Sequence, residues 1–296
     1  MPGWRRAVML VLAAAVAGTL GTAYWAAGQW VAADHRRVGP PPADLPAQPV
    51  EFGTPAGDTL RGWFVPGRPG GGAVVLMHGS HETRRAMIGQ ARFLHQHGYA
   101  VLLFDFHAYG ESHGEQTTFG YGESADAAAA VALLRTLAPG ERIAAVGFSL
   151  GGAAALLGPR PLVVDAMVIE AVYPDIRDAV ANRLRLRFGA LGPWLAPLLT
   201  AQVEPRFGVG LDQLRPIDAI ARVHVPVFLI AGTEDERATL ADSRRLFAAA
   251  NEPKQFWAVP GAAHVNFQHF APDEYEARLL AFLDHTLRGE PAPGGP

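Results

Sequence analysis

The chain has 296 residues, enough for one large α/β domain with an additional segment, and its formal net charge is −3. The absence of cysteine excludes disulfides, thiolate nucleophiles and cysteine-ligated metals. The chain has no net positive charge, so its composition does not indicate a nucleic-acid-binding protein.

The N-terminal segment is apolar over residues 7–33, where it contains no Asp, Glu, Lys, Arg or His. That length exceeds the roughly 20 residues needed to cross a bilayer and the roughly 7–15 residues of a signal-peptide core. Trp25 and Trp30 lie near its far end, where aromatic rings favour the membrane interface. We therefore predict that residues 1–37 form a single-pass membrane anchor, with a cleaved signal peptide as the alternative. The short, positively charged N-terminal tail favours an extracytoplasmic position for the rest of the chain.

After the anchor, a proline-rich stretch over residues 38–49 predicts an extended spacer. Short apolar runs then alternate with segments of helical character. The predicted strands cover residues 50–52, 59–65, 73–77, 100–104, 143–148, 163–171, 225–231 and 255–259. The predicted helices cover residues 84–97, 122–137, 236–250 and 272–287, with one more directly after Ser149. This order indicates an α/β domain over residues 50–288, with a mainly parallel, doubly wound sheet covered on both faces. Residues 289–296 are predicted to be a disordered tail.

One long segment, residues 173–222, interrupts the alternation between two predicted core strands. It contains a helical stretch over residues 175–188 and apolar pieces punctuated by glycine and proline. Insertions of this length in a compact domain are usually functional. We predict a helical cap over the strand ends that supplies substrate-binding surface, the alternative being an excursion of packed helices without such a role.

The strongest chemical motif is Gly147-Phe148-Ser149-Leu150-Gly151, which joins a predicted strand to an Ala/Leu-rich helix. A serine on such a sharp turn leaves no room for side chains two residues before and after it, so glycine fits at both places. The helix N-terminus behind the serine offers unpaired N–H groups and the positive end of a dipole to a developing oxyanion. This context predicts a nucleophile elbow with Ser149 as the nucleophile.

A serine hydroxyl needs a base to take its proton, and the base needs an acid to orient it. In the elbow arrangement the acid and the histidine follow the serine in that order along the chain. Asp235 comes four residues after the end of the predicted strand 225–231, and His264 lies in a loop of small residues after the strand 255–259. We predict Asp235 as the acid and His264 as the base. The rival acids are Glu234, Glu236 and Asp175, and Asp235 could also be a simple helix N-cap.

The loop after the strand 73–77 is where a second oxyanion donor belongs. This loop begins with His78-Gly79, so we predict the backbone N–H of Ser80 as this donor. The backbone N–H of Leu150, directly after the predicted nucleophile, is the other predicted donor. The Ser80 side chain is not implied, and His78 is predicted to be a buried structural histidine.

These motifs together resemble the α/β-hydrolase fold family, and in particular its membrane-anchored Bem46-like (ABHD-type) serine hydrolases. The likeness covers about residues 50–288. It is carried by His78-Gly79, Asp105 with Tyr109-Gly110-Glu111-Ser112, Gly120-Tyr121-Gly122-Glu123 with Asp126, the elbow, Gly232 to Asp235, and Gly261 to His264. The resemblance implies a hydrolase of carboxylic esters or related acyl bonds that uses Ser149, His264 and Asp235 through an acyl-enzyme and needs no metal or other cofactor.

Two positions depart from the family pattern. The usual Arg-Gly after the aspartate of the D-x-R-G-x-G-x-S segment is His107-Ala108 here, which changes the structural role of that loop. The Val-Pro that often follows the acid is Glu236-Arg237, so the local helix can start differently. Neither departure removes a member of the predicted triad.

The same residues would serve a peptidase, a thioesterase or an acyltransferase, and a non-catalytic binding protein on this scaffold is the alternative from another class. The Leu, Phe and Trp content of the predicted cap favours an apolar small-molecule substrate. The charge run 183–187 is interpreted as a solvated face of the cap, with contact to lipid headgroups as the alternative. His95 and His97, like other scattered histidines, lack a clustered carboxylate pattern and are not predicted to bind metal.

Overall fold

A computed structural model describes residues 3–290 of the chain. Its strands are β1 Asp34–His35, β2 Gln48–Gly53, β3 Thr59–Val65, β4 Ala73–Met77, β5 Ala100–Phe104, β6 Tyr109–Gly110, β7 Ile143–Phe148, β8 Ala166–Glu170, β9 Val227–Gly232 and β10 Lys254–Val259. Its α-helices are α1 Gly3–Val31, α2 Ile88–Gln96, α3 Glu123–Leu137, α4 Leu150–Leu156, α5 Ile176–Phe188, α6 Gly192–Thr200, α7 Val203–Phe207, α8 Pro216–Ile220, α9 Leu240–Ala249, α10 Phe267–Phe270 and α11 Pro272–Leu283. Short 3₁₀ turns cover Arg84–Met87, Gly189–Leu191 and Leu211–Gln213, and a π-helical turn covers Asp284–Arg288.

Eight of these strands form one sheet in the order β10-β9-β8-β7-β4-β5-β3-β2. The six strands from β10 to β5 are parallel, whereas β3 and β2 complete one edge in antiparallel pairing. The carboxyl ends of the parallel strands therefore meet at one edge of the sheet, where α/β proteins bind their ligands. The predicted fold class, a mainly parallel doubly wound sheet, is confirmed.

The core has two layers because successive strand residues point to opposite faces of the sheet. On one face, Val75 and Met77 of β4 join a cluster with side chains of α3, α4 and α9. On the other face, Val74 and Leu76 join a cluster with side chains of α2 and α11. Strands buried on both faces need apolar residues at every position, which explains the continuous apolar runs of the sequence.

The predicted helix over residues 236–250 begins later than expected, at Leu240. The preceding residues form a turn in which the N–H groups of Arg237 and Ala238 both donate to a carboxylate oxygen of Asp235. Thr239 then caps α9 by accepting from the N–H of Asp242. The unusual Glu236-Arg237 pair is thus accommodated in a turn rather than in the first helical turn.

Residues 38–49, predicted to be an extended spacer between membrane and domain, pack on the domain. Val38 and Leu45 are buried in the cluster that also contains Trp63. The guanidinium of Arg85 donates to the carbonyl of Val38, and Arg92 forms an ion pair with Asp44. Proline stiffens the backbone of this segment, but its apolar side chains still gain by burial.

The insertion over residues 173–222 folds into the helices α5, α6, α7 and α8 between β8 and β9. Below, "cap" means this insertion. The last turns of α1 pack on the folded domain, with Ala27 and Val31 buried. The cap also contacts α1 directly, since Arg206 donates to the carbonyl of Tyr24 at 2.7 Å and lies over its ring. Of the predicted tail 289–296, residues 291–296 lie outside the described part of the chain.

Candidate active site

Three chain segments at the carboxyl edge of the sheet bring together a hydroxyl, an imidazole and a carboxylate. Ser149 follows β7 directly, Asp235 comes three residues after β9, and His264 comes five residues after β10. Because these strands are parallel, the loops that follow them emerge at the same edge. The topology thus places side chains that are far apart in the sequence next to one another.

The imidazole of His264 lies between the other two groups. Its Nε2 is 3.2 Å from the Oγ of Ser149, and its Nδ1 is 2.7 Å from the Oδ2 of Asp235. The Asp235 side chain is fully buried, and its other oxygen accepts the N–H groups of Arg237 at 2.7 Å and Ala238 at 2.9 Å. These amides hold the carboxylate in one orientation, so that Oδ2 is left for the imidazole.

Ser149 adopts a backbone conformation with φ of 51°, in the left-handed region that is rare for a residue with a side chain. A Cβ atom at Gly147 would lie 2.5 Å from the backbone of Gly151, and one at Gly151 would overlap the carbonyl oxygen of Met77. The N–H of Ser149 donates to the carbonyl of Glu170 at 2.8 Å, which ties the turn to β8. Steric crowding therefore requires both glycines of the motif, as the sequence predicts.

The loop after β4 carries the predicted oxyanion donor Ser80. The carboxylate of Glu82 accepts the N–H of Gly79 at 2.9 Å, so the loop turns back on itself just before Ser80. The N–H groups of Ser80 and of Leu150 have no acceptor within residues 3–290. Unpaired amides at a helix N-terminus and in a neighbouring loop can bind a negative oxygen.

His78 is fully buried beneath this loop. Its Nε2 accepts the N–H of Phe106 at 3.2 Å, which requires that Nδ1 carries the proton donated to the carbonyl of Gly79 at 2.7 Å. Burial lowers the pKa of His78, in agreement with this neutral form. The structure thus places His78 as a structural support of the loop rather than at the site.

The rival acids lie elsewhere. Glu234 and Glu236 are exposed on either side of Asp235. Asp175 caps α5 by accepting the N–H of Arg177 and forms an ion pair with Arg215. Asp235 is therefore the carboxylate that the fold presents to the imidazole.

Two neighbours of the site were not predicted. The ring of Phe148 packs against the imidazole of His264, with centroids 5.1 Å apart, and restricts its movement. The second neighbour is Arg183, which belongs to the charge run interpreted as a solvated face. Burial lowers the pKa of Arg183, and Asp235 is among the charges that act on it, whereas Arg185 and Arg187 are exposed. The packing of Phe148 on His264 and the electrostatic effect of Asp235 on Arg183 each join residues that are distant in sequence, so no local pattern signals them.

The loop in which His107 and Ala108 replace the usual residues is held by buried ion pairs. Arg84 pairs with the buried carboxylate of Asp105 and with Glu111. The Nδ1 of His107 lies 2.6 Å from a carboxylate oxygen of Asp126, which also accepts the His107 backbone N–H at 2.8 Å. A histidine thus supplies a cation where the family pattern has an arginine.

None of the histidines discussed above belongs to a group of side chains that could hold a metal ion in the described residues 3–290. His95 and His97 each direct Nδ1 to a backbone carbonyl, of Pro66 and Phe93 respectively. Their roles are local to α2 and the segment beside it.

Residues 74–278 match the alpha/beta hydrolase family, and the chain belongs to it. Among curated proteins, it is 34% identical over 225 residues to protein Rv2307c of Mycobacterium tuberculosis, covering 74% of this chain and 73% of that protein. It is 28% identical over 262 residues to protein YfhR of Salmonella typhimurium, covering 86% of each. Among solved structures, the esterase Pf2001 of Pyrococcus furiosus superimposes with a TM-score of 0.70 at 25% identity, covering 86% of this chain and 98% of the esterase.

Proposed function

We propose that the chain is a serine hydrolase that cleaves carboxylic esters through an acyl-enzyme intermediate. The observation that carries this proposal is the continuous chain of contacts from the Oγ of Ser149 through His264 to the buried carboxylate of Asp235. The likeness to an esterase supports the ester as the bond cleaved. The resemblance of the sequence motifs to the membrane-anchored subgroup named above, which holds apart from two positions, also supports this class of enzyme.

In the first half-reaction, the Oγ of Ser149 attacks the ester carbonyl while the Nε2 of His264 takes the hydroxyl proton. Asp235 holds the Nδ1–H tautomer and stabilises the imidazolium that forms. The N–H groups of Ser80 and Leu150 bind the oxyanion, and each such donor typically lowers the barrier by about 3–4 kcal/mol. Collapse of the tetrahedral intermediate expels the alcohol, which leaves with the proton from His264.

In the second half-reaction, His264 takes a proton from water, which attacks the acyl carbonyl. The bond to the Oγ of Ser149 then breaks, and the serine recovers its proton from the imidazole. The products are the carboxylic acid and the free enzyme, so no cofactor is required by this chemistry.

We further propose that α1 anchors the enzyme in a membrane. Trp4–Val31 is the helix within the described residues that is long and apolar enough to cross a bilayer. The extracytoplasmic position of the domain stays a prediction that rests on the charges near the N-terminus.

The test of the hydrolase is covalent labelling of the full chain with a fluorophosphonate probe, alongside hydrolysis of a chain-length series of p-nitrophenyl esters. We expect labelling and hydrolysis of the wild type and loss of both in Ser149→Ala. A folded wild type that is neither labelled nor active would instead favour a binding protein on a hydrolase scaffold.

A further inference from the structure

An apolar groove runs between α1 and the cap. Its volume is about 480 Å³, within the range of about 300–1,000 Å³ that is common for small-molecule sites. One wall is a face of α1 between residues 15 and 26, and the other is formed by α5 and α6. The residues that line it are Ala15, Gly18, Thr19, Thr22, Ala23 and Ala26 on α1, and Leu184, Phe188, Leu195, Leu198 and Leu199 on the cap.

The position of this groove along α1 indicates what surrounds it. A helix needs about 20 residues to cross the hydrocarbon core. Counted from the end of the arginine pair Arg5-Arg6, the first 20 residues of the uncharged segment are 7–26. The groove lies along residues 15–26, from near the middle of that span to its end, so the cap helices that form its other wall lie mainly at the depth of one leaflet.

The outer surface of the cap carries the large apolar side chains that a position inside one leaflet of a bilayer requires. Leu191, Trp194, Leu195 and Leu198 follow the i, i+3, i+4, i+7 spacing of one helix face. Trp194 is 83% exposed and Leu191 is 73% exposed, and Leu195 and Leu198 continue this face into the groove. Large apolar side chains that are exposed together mark an interaction surface, and this one is continuous with the helix proposed to cross the membrane.

Basic side chains accompany this apolar surface. Arg185 and Arg187 are exposed on α5, on the same helix as the groove residues Leu184 and Phe188. Basic groups beside an apolar face are typical of helices that lie in a membrane interface, where they meet lipid phosphates. The charges thus favour lipid over a second protein chain as the partner of this surface.

The cap helix α5 connects the groove to the candidate active site. Leu184 and Phe188 line the groove, whereas Asn182 donates to the carbonyl of Arg237 at 3.2 Å, two residues after Asp235. Fewer than two turns of α5, from Asn182 to Phe188, therefore contact both the groove and the loop that holds the carboxylate.

We propose that the groove binds an acyl chain of a bilayer lipid and that the exposed face of α6 is immersed in the same leaflet. The consequence of this inference for catalysis rests on the proposed ester hydrolysis. The substrates are then long-chain acyl esters that are dissolved in the membrane and reach Ser149 from the side of the cap. The fixed contact of Arg206 with Tyr24 holds cap and α1 together at one end of the groove.

Two glycines of α1 provide a matched pair for the test. A Cβ atom at Gly18 or at Gly21 would meet no other atom within 4 Å, so a side chain can leave the backbone at both positions without a clash. Gly18 lines the groove and Gly21 does not. Gly18→Phe fills the groove, and Gly21→Phe adds the same ring to the same helix outside it.

The activity assay uses the full chain in phosphatidylcholine vesicles, with p-nitrophenyl palmitate and p-nitrophenyl butyrate as substrates. Excluding about two methylene groups from an apolar site corresponds to roughly a ten-fold loss. We expect Gly18→Phe to lower the palmitate-to-butyrate ratio of kcat/KM by about ten-fold and Gly21→Phe to leave that ratio at the wild-type value. Equal ratios in all three proteins, with both esters hydrolysed, would overturn the groove as an acyl-chain site while leaving the hydrolase intact.

A second experiment, which does not depend on catalysis, measures whether the cap is immersed in the membrane. Because the chain has no cysteine, Trp194→Cys and Val163→Cys each carry a single site for a polarity-sensitive fluorophore. Val163 is also exposed, at 53%, but lies outside the cap. In vesicles containing acyl-chain nitroxide lipids, we expect strong quenching of the label at residue 194 and little at residue 163. Equal quenching at both positions, or a label at residue 194 that is shielded by a second copy of the chain, would overturn the proposal.

Discussion

The replacement of the usual arginine by His107 predicts that the stability of the fold depends on pH in the alkaline range. Burial by itself would lower the pKa of His107, but the hydrogen bond to Asp126 and the negative charge of Glu123, 3.6 Å from Nε2, outweigh it and raise the pKa to about 9. The imidazole is therefore charged at neutral pH in the folded chain, whereas an unfolded histidine titrates near 6.5.

The sign of the effect follows from this difference. A group whose pKa is raised by folding stabilises the fold fully below its unfolded pKa, and this contribution is lost as the pH rises through the folded pKa. The interval from 6.5 to about 9 corresponds to at most roughly 3 kcal/mol in the free energy of unfolding. The loss should therefore occur between about pH 6.5 and pH 9.

The measurement is urea unfolding of the full chain in detergent at pH 6 and pH 9.5, for the wild type, His107→Gln and His107→Arg. The glutamine variant lacks the charge at both pH values, so it should be less stable than the wild type at pH 6 and nearly equal to it at pH 9.5. The arginine variant keeps its charge throughout and should lose less stability at pH 9.5 than the wild type does. If the wild type and the glutamine variant lose equal stability between the two pH values, the charge of His107 is not the cause.

Three further predictions concern the site and the turn that carries it. Asp235→Asn should lower kcat by on the order of 10⁴ without unfolding the chain, because the amide no longer fixes the imidazole tautomer; a loss below ten-fold contradicts that role. Burial raises the pKa of Glu170 from its ordinary value of 4.5 to about 7, so the fold loses stability as the pH rises through this interval, and the full loss is present above about pH 7. Glu170→Gln should therefore raise the Tm by several degrees at pH 8 and leave it nearly unchanged at pH 4, and equal changes at both would refute this cause. Gly151→Ala should cost about 3 kcal/mol or more in urea unfolding because its Cβ overlaps a backbone oxygen of β4, whereas Gly53→Ala, whose Cβ meets no atom within 4 Å, is the control and should cost far less.

The fold class was predictable because its signals are local. Continuous apolar runs such as residues 73–77 are typical of strands covered on both sides, and the alternation with helices implies parallel pairing. The turn at Ser149 was predictable for a steric reason, since the two flanking glycines are required by backbone contacts that any such turn makes. The meeting of Ser149, Asp235 and His264 followed from strand ends that share an edge, and their catalytic roles stay a prediction for the assays above.

The features that were missed depend on contacts between distant residues. The packing of Phe148 on His264 joins positions more than a hundred residues apart, and nothing in either local sequence indicates it. The sequence places Arg183 in a run of charges typical of a solvated face, although the fold partly buries its side chain and the charge of Asp235 acts on it. Proline content in residues 38–49 describes backbone stiffness, but the burial of Val38 depends on a surface formed by other parts of the chain.

The packing of residues 38–49 on the domain has a practical consequence for truncated versions of the chain. A version that starts at Pro49 loses Val38 and Leu45 and uncovers the apolar surface beneath them. It also removes β1, which pairs with β6 next to the loop of Glu111. Solubility after truncation therefore depends on where the cut falls, and a start between the end of α1 and Asp34 keeps both contacts.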